Sequence, residues 1–166
     1  MTPGNLVNMA KLCGVDVIAL TDHNSCLNCA AAMKVGESIG LTVIPGMELT
    51  TSEEIHVVCL FGCIKNALEF GEFVYSRLPN ICNKISIFGD QLIVNEDDEV
   101  EGTMDKLLIT ATSISIMDIV PLMRKYGGFC FPAHIDKNSY SIISNLGYFP
   151  DDCGFVAAEV SKNCDL

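Results

Sequence analysis

Three histidines punctuate the 166-residue chain, and each falls at or beside an apolar, strand-like run: His23 after residues 15–20, His56 near the start of 55–61, and His134 after 128–133. Acids accompany them, with Asp22 directly before His23 and Glu48 just beyond the run at 41–46. In parallel α/β proteins, active sites collect at strand ends on one face of the sheet. A neutral imidazole and a carboxylate can together hold a divalent ion and still leave coordination positions open for water or an anion. One strand-end histidine is ordinarily a hydrogen-bonded structural residue. Three of three, with acids alongside, point instead to a His/carboxylate shell converging on one pocket.

The elements that must position these residues read as alternating strand and helix, which argues for an α/β fold. Residues 15–20 form a β-branched run ending in Thr21-Asp22-His23-Asn24, and 25–39 is an alanine-rich helical segment stopped by Gly40. Strands are expected at 41–46 and 55–61, and an amphipathic helix at 65–78 with Ala67, Leu68, Phe70, Phe73, Val74 and Leu78 at helical spacing. The pattern lapses at about 80–108, where five acids fall within seven residues at 95–101, as expected of a solvated loop or hairpin insertion. Ser113 is the expected N-cap of a helix running to Tyr126, with a kink or boundary at Pro121. Further strands are expected at 128–133 and 155–160. The whole of 1–166 reads as one domain.

Taken in order, Ile18-Ala-Leu-Thr-Asp22-His23-Asn24, Val43-Ile-Pro-Gly-Met-Glu48, His56-Val-Val-Cys-Leu-Phe61 and Pro132-Ala-His134 resemble successive motifs of the PHP (polymerase and histidinol phosphatase) superfamily. The resemblance implies a distorted (β/α)7 barrel with a divalent metal cluster of zinc, manganese or iron that hydrolyses phosphate esters through metal-activated water. It also implies that Glu48 bridges two metals, that His56 and His134 complete one of those sites, that His23 serves a third, and that Asp22 supports the ligands. These make Glu48, His56 and His134 the expected catalytic set. Lys137 and Ser139, just after the third histidine, are candidates for contact with the substrate phosphate, with a solvated loop as the alternative. Family members begin with a strand bearing His-x-His and end with one bearing Asp-x-His. Here Met1-Thr-Pro reads as the loop after the first, and the chain stops at Asp165-Leu166 before the second, so the barrel is expected to be incomplete at both ends. A truncated, non-catalytic metal-binding or interaction domain is therefore the alternative function.

Composition narrows the classes further. Ten Lys and Arg against 21 Asp and Glu give a net charge of −11, which repels a phosphate backbone and argues against unaided nucleic-acid binding. Bound cations would reverse that sign locally and admit a phosphorylated small molecule or a nucleotide. No apolar run reaches the roughly 18–20 residues of a membrane span, and no secretory leader is evident, so a cytoplasmic protein with reduced thiols is expected. Nine cysteines are scattered among apolar residues. Cys26-x-x-Cys29 has redox or zinc spacing but no second pair, and reads as buried, idle thiols. Neither a phosphate-binding glycine loop, nor a Gly-x-Ser-x-Gly elbow, nor an EF-hand is present. Loss of both terminal strands would expose edges at 15–20 and 155–160, so a homodimer or a tendency to aggregate is expected.

Overall fold

The computed structural model describes residues 1–162 and 164. In chain order these form α1 (Pro3–Leu12), β1 (Val17–Leu20), α2 (Cys29–Ile39), β2 (Thr42–Thr50), β3 (His56–Phe61) and α3 (Ile64–Arg77). Then come α4 (Ile85–Phe88), β4 (Leu92–Val94), β5 (Val100–Thr103), α5 (Ile116–Lys125), β6 (Gly128–Pro132) and α6 (Ile142–Leu146), with a 3-10 turn at Asp151–Cys153. Asp165 and Leu166, on which the expected chain ending rests, lie outside the described residues.

One four-stranded sheet in the order β1-β2-β3-β6 carries the fold. β1 and β2 are parallel, pairing Val17 with Thr42 and Leu20 with Pro45. β3 runs against both neighbours, pairing His56 with Thr50 on one side and Val57 with Pro132 on the other. The sheet is thus mixed, not parallel, and among the described residues it does not close into a barrel. The reason is local: only residues 51–55 join β2 to β3, too few for the crossover that parallel strands require. This reversal places the start of β3 beside the C-terminal ends of β1, β2 and β6.

Burial alternates along β3, with Val57, Cys59 and Phe61 inward. They pack with Met47 and Leu49 of β2 against the stripe Ala67, Phe70 and Val74 of α3 and against Ile119 and Met123 of α5. Phe70 is fully buried and its ring meets Phe61, Phe73 and Tyr126. Truncating such a side chain to alanine costs about 3–5 kcal/mol. Gly36 on α2 is required by close approach, since a Cβ there would stand 2.6 Å from the Leu41 carbonyl oxygen.

Three sequence expectations are corrected. The first residues are not a loop: Thr2 caps α1, with Pro3 in its first turn, and Asp98 of the β4–β5 loop holds that end through Thr2 Oγ1 at 2.6 Å and Gly4 N at 3.1 Å. Helix α5 is capped by Ser115, not Ser113. Glu53 explains the choice by accepting from Ser115 Oγ at 2.7 Å and Ile116 N at 3.0 Å, and the helix continues through Pro121 without a boundary. Residues 155–160 form no strand. They touch the sheet end at Glu159, whose N donates to Pro132 O at 3.0 Å and whose O accepts from Ile135 N at 2.9 Å.

Between α3 and α5, α4 and the β4–β5 hairpin make a small layer of their own. Its base is closed by Leu107 N to Ile81 O and Asn83 N to Asp105 O, both 2.8 Å. Gln91 spans it, donating to the Met104 and Lys106 carbonyls and accepting from Leu108 N.

Candidate metal centre

The pairing of β1 with β2 continues past β1 and carries His23 to Glu48. Glu48 N donates to Asp22 O, and Asn24 N donates to Glu48 O, both at 3.0 Å. Asn24 then turns the chain away in a left-handed conformation, φ +50°, which asparagine tolerates better than most residues. Its buried amide accepts from Thr50 N at 2.9 Å and donates to the Leu108 and Thr110 carbonyls at 2.7 and 3.0 Å. One side chain thereby joins the end of β2, the turn after His23 and the segment that closes the insertion.

Register supplies the second histidine. Thr50 opposes His56 and Glu48 opposes Val58, so Glu48 and His56 lie diagonally on one face of the β2–β3 pair. The His56 ring stacks on Tyr140, with centroids 4.6 Å apart and planes 14° from parallel, and the His56 backbone N–H donates to the Tyr140 carbonyl at 2.9 Å. His134 follows β6 with φ +33°. Its backbone N–H donates to Glu159 Oε2 at 3.1 Å.

All three imidazoles therefore surround one carboxylate. His23 Nδ1 and His56 Nδ1 lie 3.2 and 3.5 Å from Glu48 Oε2, while His134 Nε2 lies 3.6 Å from Oε1. His56 and His134 are nearly enclosed, each side chain 12% exposed, whereas His23 is 40% exposed and opens the site to solvent. The tightest donor set is His23, Glu48 and His56, whose ligand atoms all fall within 4.8 Å of one another. His134 approaches the opposite oxygen. Asp22 sits at the rim, where its carboxylate receives a 3.5 Å contact from Asn28 Nδ2. Lys137 and Ser139 are exposed on the loop after His134, a loop folded back by the 2.9 Å bond from Lys137 N to His134 O.

The charge state suits a cation. Burial works to raise the Glu48 carboxyl, but contact with His56 and the field of His23 and His134 outweigh it and hold the group below its usual range, ionised. Desolvation, reinforced by the neighbouring imidazoles, lowers His23 against the pull of Glu48 and Asp22. Asp22 moves the other way, raised by desolvation against the Asn28 amide and His23. The buried Nδ1 atoms of His23 and His134 make no hydrogen bond. His23 Nδ1 faces Glu48 Oε2 at 3.2 Å, yet out of line for one. Two ligands each about 2.1 Å from a tetrahedral ion stand about 3.4 Å apart, close to the nitrogen–oxygen separations at Glu48. Nitrogen and oxygen donors at that spacing fit a divalent ion.

Tyr140, Glu159 and Asn24 shape this site, and sequence reasoning assigned none of them a role. Only Asn24 carried a signal, by standing next to His23 in a polar cluster.

No protein-family model matches the chain. A 51-residue segment is 35% identical to an uncharacterised protein of Methanocaldococcus jannaschii, and spans 31% of this chain and 30% of that protein. The fold is similar to the crystal structure of a Bifidobacterium adolescentis protein described as a candidate metal-dependent phosphoesterase. That similarity has a TM-score of 0.63 at 16% identity and covers 95% of this chain and 71% of the other. At this identity it shows a common fold.

Proposed function

We propose that this chain is a PHP-type, metal-dependent phosphoesterase domain acting on a phosphorylated small molecule or nucleotide. The reading is carried by one observation: three imidazoles, His23 with an orphaned buried nitrogen among them, ring a single carboxylate where four strand ends meet. The fold shared with the Bifidobacterium protein supports it, and the open mixed sheet is read as part of a distorted (β/α)7 barrel. Glu48, His56 and His134 would hold one divalent ion of zinc, manganese or iron, with His23 the donor toward a neighbouring ion. Bound there, the ion supplies an acidified water and neutralises phosphoryl charge. Glu48 keeps the donor nitrogens facing inward, and Tyr140 fixes the His56 ring by stacking. Asp22 orients the turn that carries His23. Lys137 and Ser139, on the exposed loop beside His134, would meet the phosphate oxygens. No described helix is long and apolar enough to cross a membrane, and all nine cysteines are free, in keeping with a cytoplasmic setting.

Titration calorimetry with Mn²⁺ and Zn²⁺, beside a phosphate-release assay, tests the reading. Tight binding is expected, weakened about 10–100-fold or more by Glu48→Gln, with phosphate release falling in parallel. Absence of metal binding by the folded chain would overturn it. A second reading, a domain that holds one ion and binds without turnover, is favoured by the compactness of the His23, Glu48 and His56 donors around a single point. Metal binding without phosphate release would select it.

A further inference from the structure

Beside His23 opens a cavity of about 260 Å³ between the turn after β1 and the insertion. Glu48, His56 and His134 do not line it, so it adjoins the metal centre without being part of it. Its volume equals about nine water-sized groups, enough for one or two fused rings.

The walls are apolar where they are free. Leu27, Phe88, Leu92 and Ile109 line the cavity and are 38–48% exposed, an unusual cost for large apolar side chains at one mouth. Helix α4, which carries Phe88, buries none of its residues. Two of the polar lining side chains, by contrast, are spent inside the protein. Asn28 donates to Leu92 O and accepts from Val94 N, both at 3.1 Å. Gln91 uses its amide on three backbone groups of the insertion. Ser25, 8% exposed, accepts from Leu27 N at 3.3 Å through its Oγ. Among the described residues no Lys or Arg lines the cavity, and Asp22 is its one carboxyl group.

Resting on the phosphoesterase reading, we infer that the substrate is a phosphate monoester whose organic part is apolar and flat, an aryl-type ester. Past His23, a sugar or polyol phosphate would find only Asp22 and Ser25 to pair with and would leave its remaining hydroxyls against apolar walls. The phosphate lies at the metal centre and the ring in the cavity past His23.

The test uses the Mn²⁺-loaded full chain and two non-hydrolysable probes, 1-naphthylphosphonate and 3,4-dihydroxybutylphosphonate, the latter an isostere of glycerol phosphate. The naphthyl probe is expected to bind on the order of 10- to 30-fold more tightly, from apolar burial alone. Phe88→Ser and Ile109→Ser, at exposed positions that leave the core intact, should each cut that preference several-fold. Equal binding, tighter binding of the polyol probe, or no binding of either overturns the inference. So does a naphthyl preference that both variants leave unchanged, since the ring would then sit elsewhere. Turnover is read separately with 1-naphthyl phosphate and glycerol phosphate. Failure to hydrolyse either, with the probe preference intact, counts against the phosphoesterase reading and not against the apolar subsite.

Discussion

Asn24 is the joint between the histidine turn, β2 and the insertion, so its removal has a calculable cost. Asn24→Ala strips partners from Thr50 N, Leu108 O and Thr110 O, at about 1 kcal/mol each. It also places alanine at φ +50°, a left-handed conformation that costs about 1 kcal/mol more for an ordinary side chain. The total is about 4 kcal/mol. Asn24→Gly loses the same three bonds without the backbone strain, so about 3 kcal/mol is expected. Asn24→Asp keeps the acceptor for Thr50 N but sets a carboxylate oxygen against two carbonyls, and should be no better than alanine. Urea unfolding measures all three, and amide exchange at Thr50 reports the local joint, with protection falling in each variant that loses the acceptor. A loss under about 1 kcal/mol for Asn24→Ala, with Thr50 still protected, would refute the assignment. An alanine variant as stable as the glycine variant would refute the strain component alone.

Other expectations follow from single contacts. Burial works to raise Glu53, but its hydrogen bonds from Ser115 and Ile116 outweigh that and hold it below the usual carboxylate range, so its contribution is present above the unfolded value near pH 4.3 and is lost as pH falls through the folded one. Glu53→Gln should cost about 1–2 kcal/mol and flatten the acid limb of a stability-against-pH curve; an unchanged limb would count against it. The free edge of β1, with Val17 half exposed, should support concentration-dependent dimerisation in sedimentation velocity that Val17→Lys weakens; a monomer at all concentrations would exclude that edge. Exposed Cys13, Cys63 and Cys82 should react with an aromatic disulfide reagent in the native state, while Cys26, Cys29 and Cys59 wait for unfolding. Fast labelling of Cys59, whose thiol burial pushes well above its usual range, would show that the core opens readily.

How much of the fold was legible depended on whether local pattern or partnership decided each element. The run at 55–61 announces β3 by alternation, and the five-residue link before it dictates an antiparallel return, although the run itself carries no direction. Helix α1 left its signature in Thr2-Pro3, a cap followed by a first-turn proline, but Gly4 in that same turn obscured the helix behind the expectation of a loop. The stretch at 155–160 failed in the opposite sense. Its apolar run suits a strand, but a strand needs a continuous row of partners, and β6 ends at Pro132, which has a carbonyl to give and no N–H. What forms is a pair of bonds through Glu159 that bracket His134.

Residue types at the site were legible, because few side chains bind cations and those of this chain stood at strand ends. Their geometry was not, because it depends on register and on backbone conformations that the sequence does not advertise. Among the described residues, five other than glycine have positive φ, and three of them surround the site: Asn24 and His134 adjoin Glu48, and Tyr140 stacks on His56. Each is held there by long-range bonds: Asn24 by the insertion and β2, His134 by Glu159, Tyr140 by the His56 amide. No glycine marks these turns, so nothing local predicts them. Strain of about 1–3 kcal/mol per residue persists only where surrounding structure over-determines it. Its concentration around one carboxylate means that the fold spends stability to aim three imidazoles at Glu48, an arrangement that the core packing does not itself require.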